Sequence, residues 1–316
     1  MAVEVRTMDA GVFPPVAGQV GEGEWRDFVA LLKPRVVSLV VFTGAIGVLI
    51  APGHINPIVA FIAILCIAIG AGAAGCLNMW WERDIDAKMH RTASRPIPQG
   101  RIDPDQALGF GVLLAAMSVV LLGLATNVLA AGLLSASILF YVVIYTMWLK
   151  RRTAQNIVIG GAAGAFPVLI GWAAVTGSVA PLPILLFALV FAWTPPHFWA
   201  LSLYACQDYA RAGVPMLPVV AGARSTRRHV FGYTILLSVV AVLPWALGLA
   251  SSIYGVTAAV MSVVFLICSA RVLLDRTDSA GVSLTSDAPA RAAFRFSLVY
   301  LAVLFVAIGI DRVVAR

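Results

Sequence analysis

Residues 56–86 read NPIVAFIAILCIAIGAGAAGCLNMWWERDID. From 56 to 79 the run carries no charged residue and does not alternate, so it is long enough to cross a bilayer as a helix and too continuous for a barrel strand. Lipid offers the backbone no hydrogen bonds, and a helix satisfies them within one segment. At Trp80-Trp81-Glu82-Arg83-Asp84-Ile85-Asp86 the pattern breaks abruptly, and charge begins where the bilayer ends.

The same alternation recurs on both sides. Apolar stretches near 36–52, 106–125, 128–149, 156–175, 183–205, 230–250, 253–274 and 293–311 join 56–79 to make about nine transmembrane helices, an all-α polytopic membrane protein. Composition agrees: 61% of residues are apolar, 12% are charged and mean hydropathy is +0.94, whereas soluble domains are about half apolar and a quarter charged. Connections 80–105, 150–155, 206–229 and 275–292 are rich in Lys and Arg, while 53–55, 126–127, 176–182 and 251–252 contain none. All 22 basic residues except Arg312 and Arg316 fall on the side of the N-terminus, which the positive-inside rule makes cytoplasmic, with the C-terminus outside. The expected location is the bacterial cytoplasmic (inner) membrane.

Topology also accounts for the net charge of +7, because the basic residues sit in short loops between apolar runs; nucleic acid is excluded as a partner. Cys66, Cys76, Cys206 and Cys268 show no CxxC spacing and lie in or beside apolar runs, so no disulfide framework or metal knuckle is implied. Residues 1–24 carry Glu4, Asp9, Glu22 and Glu24 and lack an apolar signal core, which reads as a disordered cytoplasmic tail ahead of a single transmembrane domain over 25–316. Trp80, Trp81, Trp148 and Trp245 fall near span ends, where aromatic belts sit.

Chemistry concentrates in two cytoplasmic loops. If the second span continues as a helix, Asn78, Glu82 and Asp86 stand at i, i+4 and i+8 on one face, drifting about 40° per step, and Asp84 lies about 200° from Glu82. At the end of the sixth span Tyr204 and Asp208 repeat the i, i+4 spacing. Lys150-Arg151-Arg152 forms a basic turn between them, and Arg91 and Arg95 belong to the first loop. Carboxylate and amide oxygens suit Mg²⁺, which keeps water and bridges to phosphates, while Arg and Lys bind phosphate directly. Acids and bases at one mouth point to a Mg²⁺–diphosphate site; membrane topology and solvation explain each charge run equally well when taken alone. His197, in an apolar span beside Trp193, Pro195 and Pro196, is either a core histidine bonded to a neighbour or a ligand.

The stretch NMWWERDIDAKMHRTASRP resembles the first aspartate-rich motif of UbiA-type intramembrane prenyltransferases. YTMWLKRRTAQNIVIGGAAGAFPVLIGW, WTPPHFWALSLYACQDYARAGVPMLPVV and the KPR at 33–35 are similar to the heme-modifying branch of that family, and the resemblance spans roughly residues 25 to 312. Two departures stand out: Glu82 occupies a position commonly Asp, and Tyr204 stands where a second acid is frequent. The resemblance implies helices around a central cavity opening near the cytoplasmic face. It also implies farnesyl transfer from farnesyl diphosphate to the 2-vinyl group of protoheme IX with addition of water, dependent on Mg²⁺, and a downstream heme-oxidising enzyme as a partner. On it, Asn78, Glu82, Asp86 and Asp208 would hold Mg²⁺, Arg91, Arg95, Lys150 and Arg151 would contact diphosphate, and Tyr204 would orient the leaving group. His197 would position heme, and Lys33 or Arg35 would meet the propionates. Prenylation of an aromatic or quinone precursor is the alternative within the family. A secondary transporter is the alternative outside it, disfavoured because, His197 apart, the span centres hold no charge.

Overall fold

The computed structural model describes residues 23–278 and 281–314. The tail expected over 1–24 therefore lies outside the described residues apart from Gly23 and Glu24, and so does Arg316. The helices are α1 (Trp25–Leu31), α2 (Pro34–Ile50), α3 (Pro57–Trp81), α4 (Arg83–Lys88), α5 (Pro104–Ala125), α6 (Val128–Leu139), which continues as a π-helix over Phe140–Leu149, α7 (Asn156–Thr176), α8 (Pro181–Tyr204), α9 (Cys206–Arg211), α10 (Leu217–Ala246), α11 (Ser252–Leu273) and α12 (Ala288–Val314). Among the described residues the only strand-like pairing is an isolated bridge between Thr277 and Ser283.

Local chemistry explains where the spans start. Pro34, Pro57, Pro104 and Pro181 occupy first-turn positions, where a missing N–H costs nothing. The Asn56, Asp103, Asn127 and Ser251 side chains accept from backbone N–H groups of the first turns of α3, α5, α6 and α11. Among the described residues eight helices are long and apolar enough to cross a membrane, and α1 with α2, bent by 54° across their break, bring the number to nine when the pair is counted as one broken span. Only 22% of the apolar window of α5 is buried against protein, and exposed Leu113, Val120 and Leu124 face outward from it, as expected of a surface that meets lipid.

One stretch departs from expectation. The segment 206–229, read as a loop, is largely helical: α9 lies within it, and α10 begins at Leu217, breaks at Gly222 (φ 79°, ψ 161°) and ends at Ala246 rather than near 250. Gly222 is the residue type that adopts such a backbone without steric cost.

Two large clusters make up most of the apolar packing. One cluster joins α3, α5, α6 and α7 through Ile67, Leu122, Leu134 and Ile170; the other joins α8, α10, α11 and α12 through Leu189, Leu237, Phe265 and Phe305. The crossing of α2 with α7 is made close by small residues: a Cβ on Gly47 would lie 2.4 Å from the Val168 carbonyl oxygen, and one on Gly171 2.1 Å from the Gly44 carbonyl oxygen. Without a hydrophobic drive between helices in lipid, such backbone contact is what van der Waals packing relies on.

At the end of the bundle opposite the basic loops, buried Asp311 of α12 accepts from the backbone N–H of Ser251 at 2.8 Å and from its hydroxyl, tying α12 to the start of α11. A carboxylate at a helix N-terminus meets unpaired N–H groups and a favourable dipole. Asp311→Ala is expected to destabilise the protein by about 1–3 kcal/mol, read as a lower thermal midpoint in detergent, with catalysis at low temperature retained.

Candidate active site

The charged end of the bundle is built from four stretches that are distant in sequence. Lys33 sits between α1 and α2 in a left-handed backbone conformation (φ 51°, ψ 54°). For a non-glycine residue this costs of order 1–3 kcal/mol and marks a position held by its surroundings. Its Nζ donates to Asn78 Oδ1 at 2.6 Å, and Asn78 Nδ2 donates to Thr146 Oγ1 at 3.0 Å.

Helix α3 gives way to α4 at Glu82, but the backbone ladder persists: Glu82 N–H donates to the Asn78 carbonyl at 3.0 Å and Asp86 N–H to the Glu82 carbonyl at 2.8 Å. The i, i+4, i+8 face expected from the sequence is therefore present, and Asn78, Glu82 and Asp86 are all buried. Each acid meets a base. Lys150 Nζ donates to Glu82 Oε2 at 2.5 Å, and Arg95 Nη1 to Asp86 Oδ2 at 2.6 Å. Asp84 points elsewhere, as its spacing predicts, and takes a bidentate pair from Arg151 at 2.7 and 2.9 Å. That bond holds the Asp84 carboxyl below the usual carboxylate range. Burial works against the charge of Lys150, yet the charge and hydrogen bond of Glu82 outweigh it and leave Lys150 above the usual lysine range.

The π-helix aims Lys150. Its last bond runs from Lys150 N–H to the Tyr145 carbonyl, five residues back, at 2.9 Å. In an α-helix at 3.6 residues per turn Tyr141 and Lys150 would be about two and a half turns apart, on opposite faces. With i→i+5 bonding a turn takes between four and five residues, so Tyr141, Tyr145, Thr146 and Lys150 come to one side. The Tyr141 and Tyr145 rings stand 5.4 Å apart, and Lys150 Nζ lies 6.0 Å from the Tyr145 ring centroid. Tyr145 itself rests on a glycine of α7, where a Cβ at Gly160 would meet its ring at 2.3 Å. Gly160→Val is expected to displace the ring and reduce turnover about tenfold or more with the spans intact, checked by steady-state rates beside a thermal melt.

The second loop reaches the first through apolar contacts. Ile85 and Met89 after α3 pack with Ile157, Tyr209, Val214 and Met216. Its acid does not join the others: Asp208 pairs with Arg211 three residues on. Among the described residues no three His, Cys, Asp or Glu side chains come close enough to hold a metal ion. The single acid cluster expected from Glu82, Asp86 and Asp208 is replaced by separate acid–base pairs. The physical reason is that a buried carboxylate without a counter-charge is costly, so neighbouring bases take each one. One oxygen is left over: Glu82 Oε1 is fully buried and has no hydrogen-bond partner.

His197, Tyr204 and Arg35 lie outside this network. The His197 ring is stacked between Trp193 (4.2 Å) and Phe294 (4.6 Å), and its Nδ1 is 2.6 Å from Ser297 Oγ. Because Ser297 Oγ donates to the Phe294 carbonyl at 2.6 Å, it accepts from His197, which places the ring proton on Nδ1. Tyr204 ends α8 with the Arg291 guanidinium 4.3 Å over its ring. Arg35 and Arg91 are exposed and form no ion pair among the described residues. Lys33, expected with Arg35 near an acceptor's carboxylates, is bound to Asn78. Thr146, Tyr145 and the buried Asn156, whose Oδ1 also lacks a partner, escaped notice because nothing in their spacing separates them from span residues.

A family model described as the UbiA prenyltransferase family matches residues 40–286. The chain is similar to the protoheme IX farnesyltransferase of Granulibacter bethesdensis, 63% identical over 301 residues that cover 95% of each chain. Its fold is similar to a solved digeranylgeranylglyceryl phosphate synthase, with a TM-score of 0.74 at 18% identity over 91% of this chain and 98% of that one. It is also similar to a UbiA homologue from Archaeoglobus fulgidus bound to DMAPP and Mg²⁺, with a TM-score of 0.60 at 15% identity over 89% and 99%.

Proposed function

Because the chain belongs to the UbiA prenyltransferase family, we propose that this enzyme transfers the farnesyl group of farnesyl diphosphate to the 2-vinyl group of protoheme IX, with water added, releasing diphosphate and a hydroxyethylfarnesyl heme. The observation that carries the reading is the network in which part-buried Lys33, Arg95 and Lys150 meet buried Asn78, Asp86 and Glu82, with one carboxylate oxygen left unpartnered.

Breaking the allylic C–O bond separates a delocalised cation from a multiply charged leaving group, so fixed charges have to be in place beforehand. Lys33, Arg95 and Lys150, now spent on Asn78, Asp86 and Glu82, turn to phosphate oxygens, joined by Arg91 and Arg151 from the rim. Asn78, Glu82 and Asp86 would hold a divalent cation through their oxygens, with Asp208 of the second loop as the further acid of the set. The donors are all oxygen, which fits Mg²⁺, and the orphaned Glu82 Oε1 is an acceptor with nothing yet to accept from. Mg²⁺, when bound, supplies Lewis-acid neutralisation of charge on the departing diphosphate. Tyr145, which already faces an ammonium, offers π density to the farnesyl cation, and the surrounding apolar helices keep water from quenching it. The vinyl π electrons form the new C–C bond; water adds to the cation left beside the macrocycle and loses a proton.

The bundle's basic end faces the cytoplasm of a bacterial inner membrane, where both amphiphilic substrates arrive laterally from the bilayer. Purified enzyme in nanodiscs with protoheme, farnesyl diphosphate and Mg²⁺ is expected to yield a farnesylated heme by mass spectrometry, and EDTA to abolish it. Absence of that product alongside prenylation of an aromatic acid would refute the proposal.

A further inference from the structure

The face that α8 and α12 present to each other carries a ladder of flat groups that the diphosphate chemistry does not use. It runs from Trp193 to His197 (4.2 Å), to Phe294 (4.6 Å), to Tyr204 (6.2 Å) and to the Arg291 guanidinium (4.3 Å). Its inner end is buried, and its outer end is exposed at the rim. One turn on from Arg291, Arg295 is also exposed. Arg291 gives its Nε to the Ser286 carbonyl at 3.2 Å, and neither arginine forms an ion pair among the described residues. Elsewhere at this end Arg95, Lys150, Arg151, Arg211 and Arg227 each have a carboxylate, while Arg35 and Arg91, which also lack one, do not adjoin an aromatic ladder of this kind.

We infer that Arg291 and Arg295 bind the propionate carboxylates of the protoheme acceptor, so that the macrocycle enters along the α8–α12 ladder with its charged edge held at the rim. The inference rests on the farnesyl-transfer reading above. Protoheme IX carries its two propionates on the edge opposite the 2-vinyl group. The vinyl edge has to reach a carbocation kept from water, while the propionates cannot follow without a large desolvation cost. An aromatic flank ending in two guanidiniums without carboxylate partners satisfies both demands, since guanidinium pairs with carboxylate through two parallel hydrogen bonds.

The test uses full-length enzyme in phosphatidylcholine nanodiscs, with protoheme IX and its dimethyl ester as alternative acceptors, and the variants Arg291→Gln, Arg295→Gln, the double variant and Arg291→Lys. Wild-type enzyme is expected to show a KM for the ester about tenfold or more above that for protoheme. Each Gln variant should lose part of this preference and the double variant all of it, with kcat on the ester and KM for farnesyl diphosphate unchanged within twofold. Arg291→Lys should keep most of it. Turnover of the ester shows that the variants are folded. Full preference in the double variant, or a rise in KM for farnesyl diphosphate instead, overturns the inference. So does an effect that appears only when anionic lipid is added, which would assign the arginines to headgroups. Wild-type enzyme that farnesylates neither acceptor refutes the underlying reading, and this inference with it.

Discussion

Asp86→Ala is expected to lower kcat for farnesyl transfer by about 10²–10³-fold or more, the scale seen when one fixed electrostatic contact to a developing charge is removed. Asp86 is buried, accepts from Arg95 at 2.6 Å through its side chain and from the Thr92 hydroxyl at 2.9 Å through its carbonyl. Only the first bond is lost in the variant. Arg95 is partly exposed and can turn to water, so the stability cost stays near 1–3 kcal/mol rather than that of a stranded buried charge. Asp86→Asn separates shape from charge: it fills the same space, and an equal loss of rate would show that the carboxylate charge is what matters. Asp208→Ala asks a different question. Asp208 faces Arg211 in this structure, so a loss as large as that of Asp86→Ala is expected only if the second loop closes on the first with substrate bound. Product formed per enzyme by mass spectrometry, beside a thermal melt, reads all three. Near-normal turnover in a folded Asp86→Ala protein would remove the proposed site.

Gly171→Val has the largest expected structural effect. The new Cβ would sit 2.1 Å from the Gly44 carbonyl oxygen and 3.0 Å from the Val48 nitrogen, both backbone atoms that no rotamer change can move. Separating α2 from α7 would pull apart the crossing that links Lys33, at the start of α2, to the rest of the site. Little or no folded, monodisperse protein should be recovered from membranes. Gly164→Ala on the same helix is the control: nothing lies within 4 Å of its Cβ, so stability should change by less than about 1 kcal/mol. If Gly171→Val yields normal amounts of active enzyme, the tight crossing is not what holds these helices together.

Much of this architecture was legible in the chain. The apolar runs at 56–79, 106–125 and 156–175 coincide with α3, α5 and α7 within a few residues, because span formation in lipid is a local property of each segment. The spacing of Asn78, Glu82 and Asp86 was sufficient to place all three on one face, since the Glu82–Asn78 and Asp86–Glu82 backbone bonds carry the helical spacing across the junction. The segment 206–229 was misread as loop because its charges mask helices that lie beyond the membrane. The π-helix at Phe140–Leu149 left no trace in hydropathy, which is insensitive to how tightly an apolar helix is wound.

Span number, the gathering of charge at one end and the face shared by three polar residues follow from neighbours along the chain, through the energetics of burying backbone and charge in lipid. Which polar side chain meets which does not. Lys33 finds Asn78 across 45 residues, Lys150 finds Glu82 across 68, and His197 finds Ser297 across 100. Those partnerships depend on the order in which helices wrap around one another and on a change of winding that turns Lys150 inward, and a polar side chain away from water takes whichever partner that packing brings within reach.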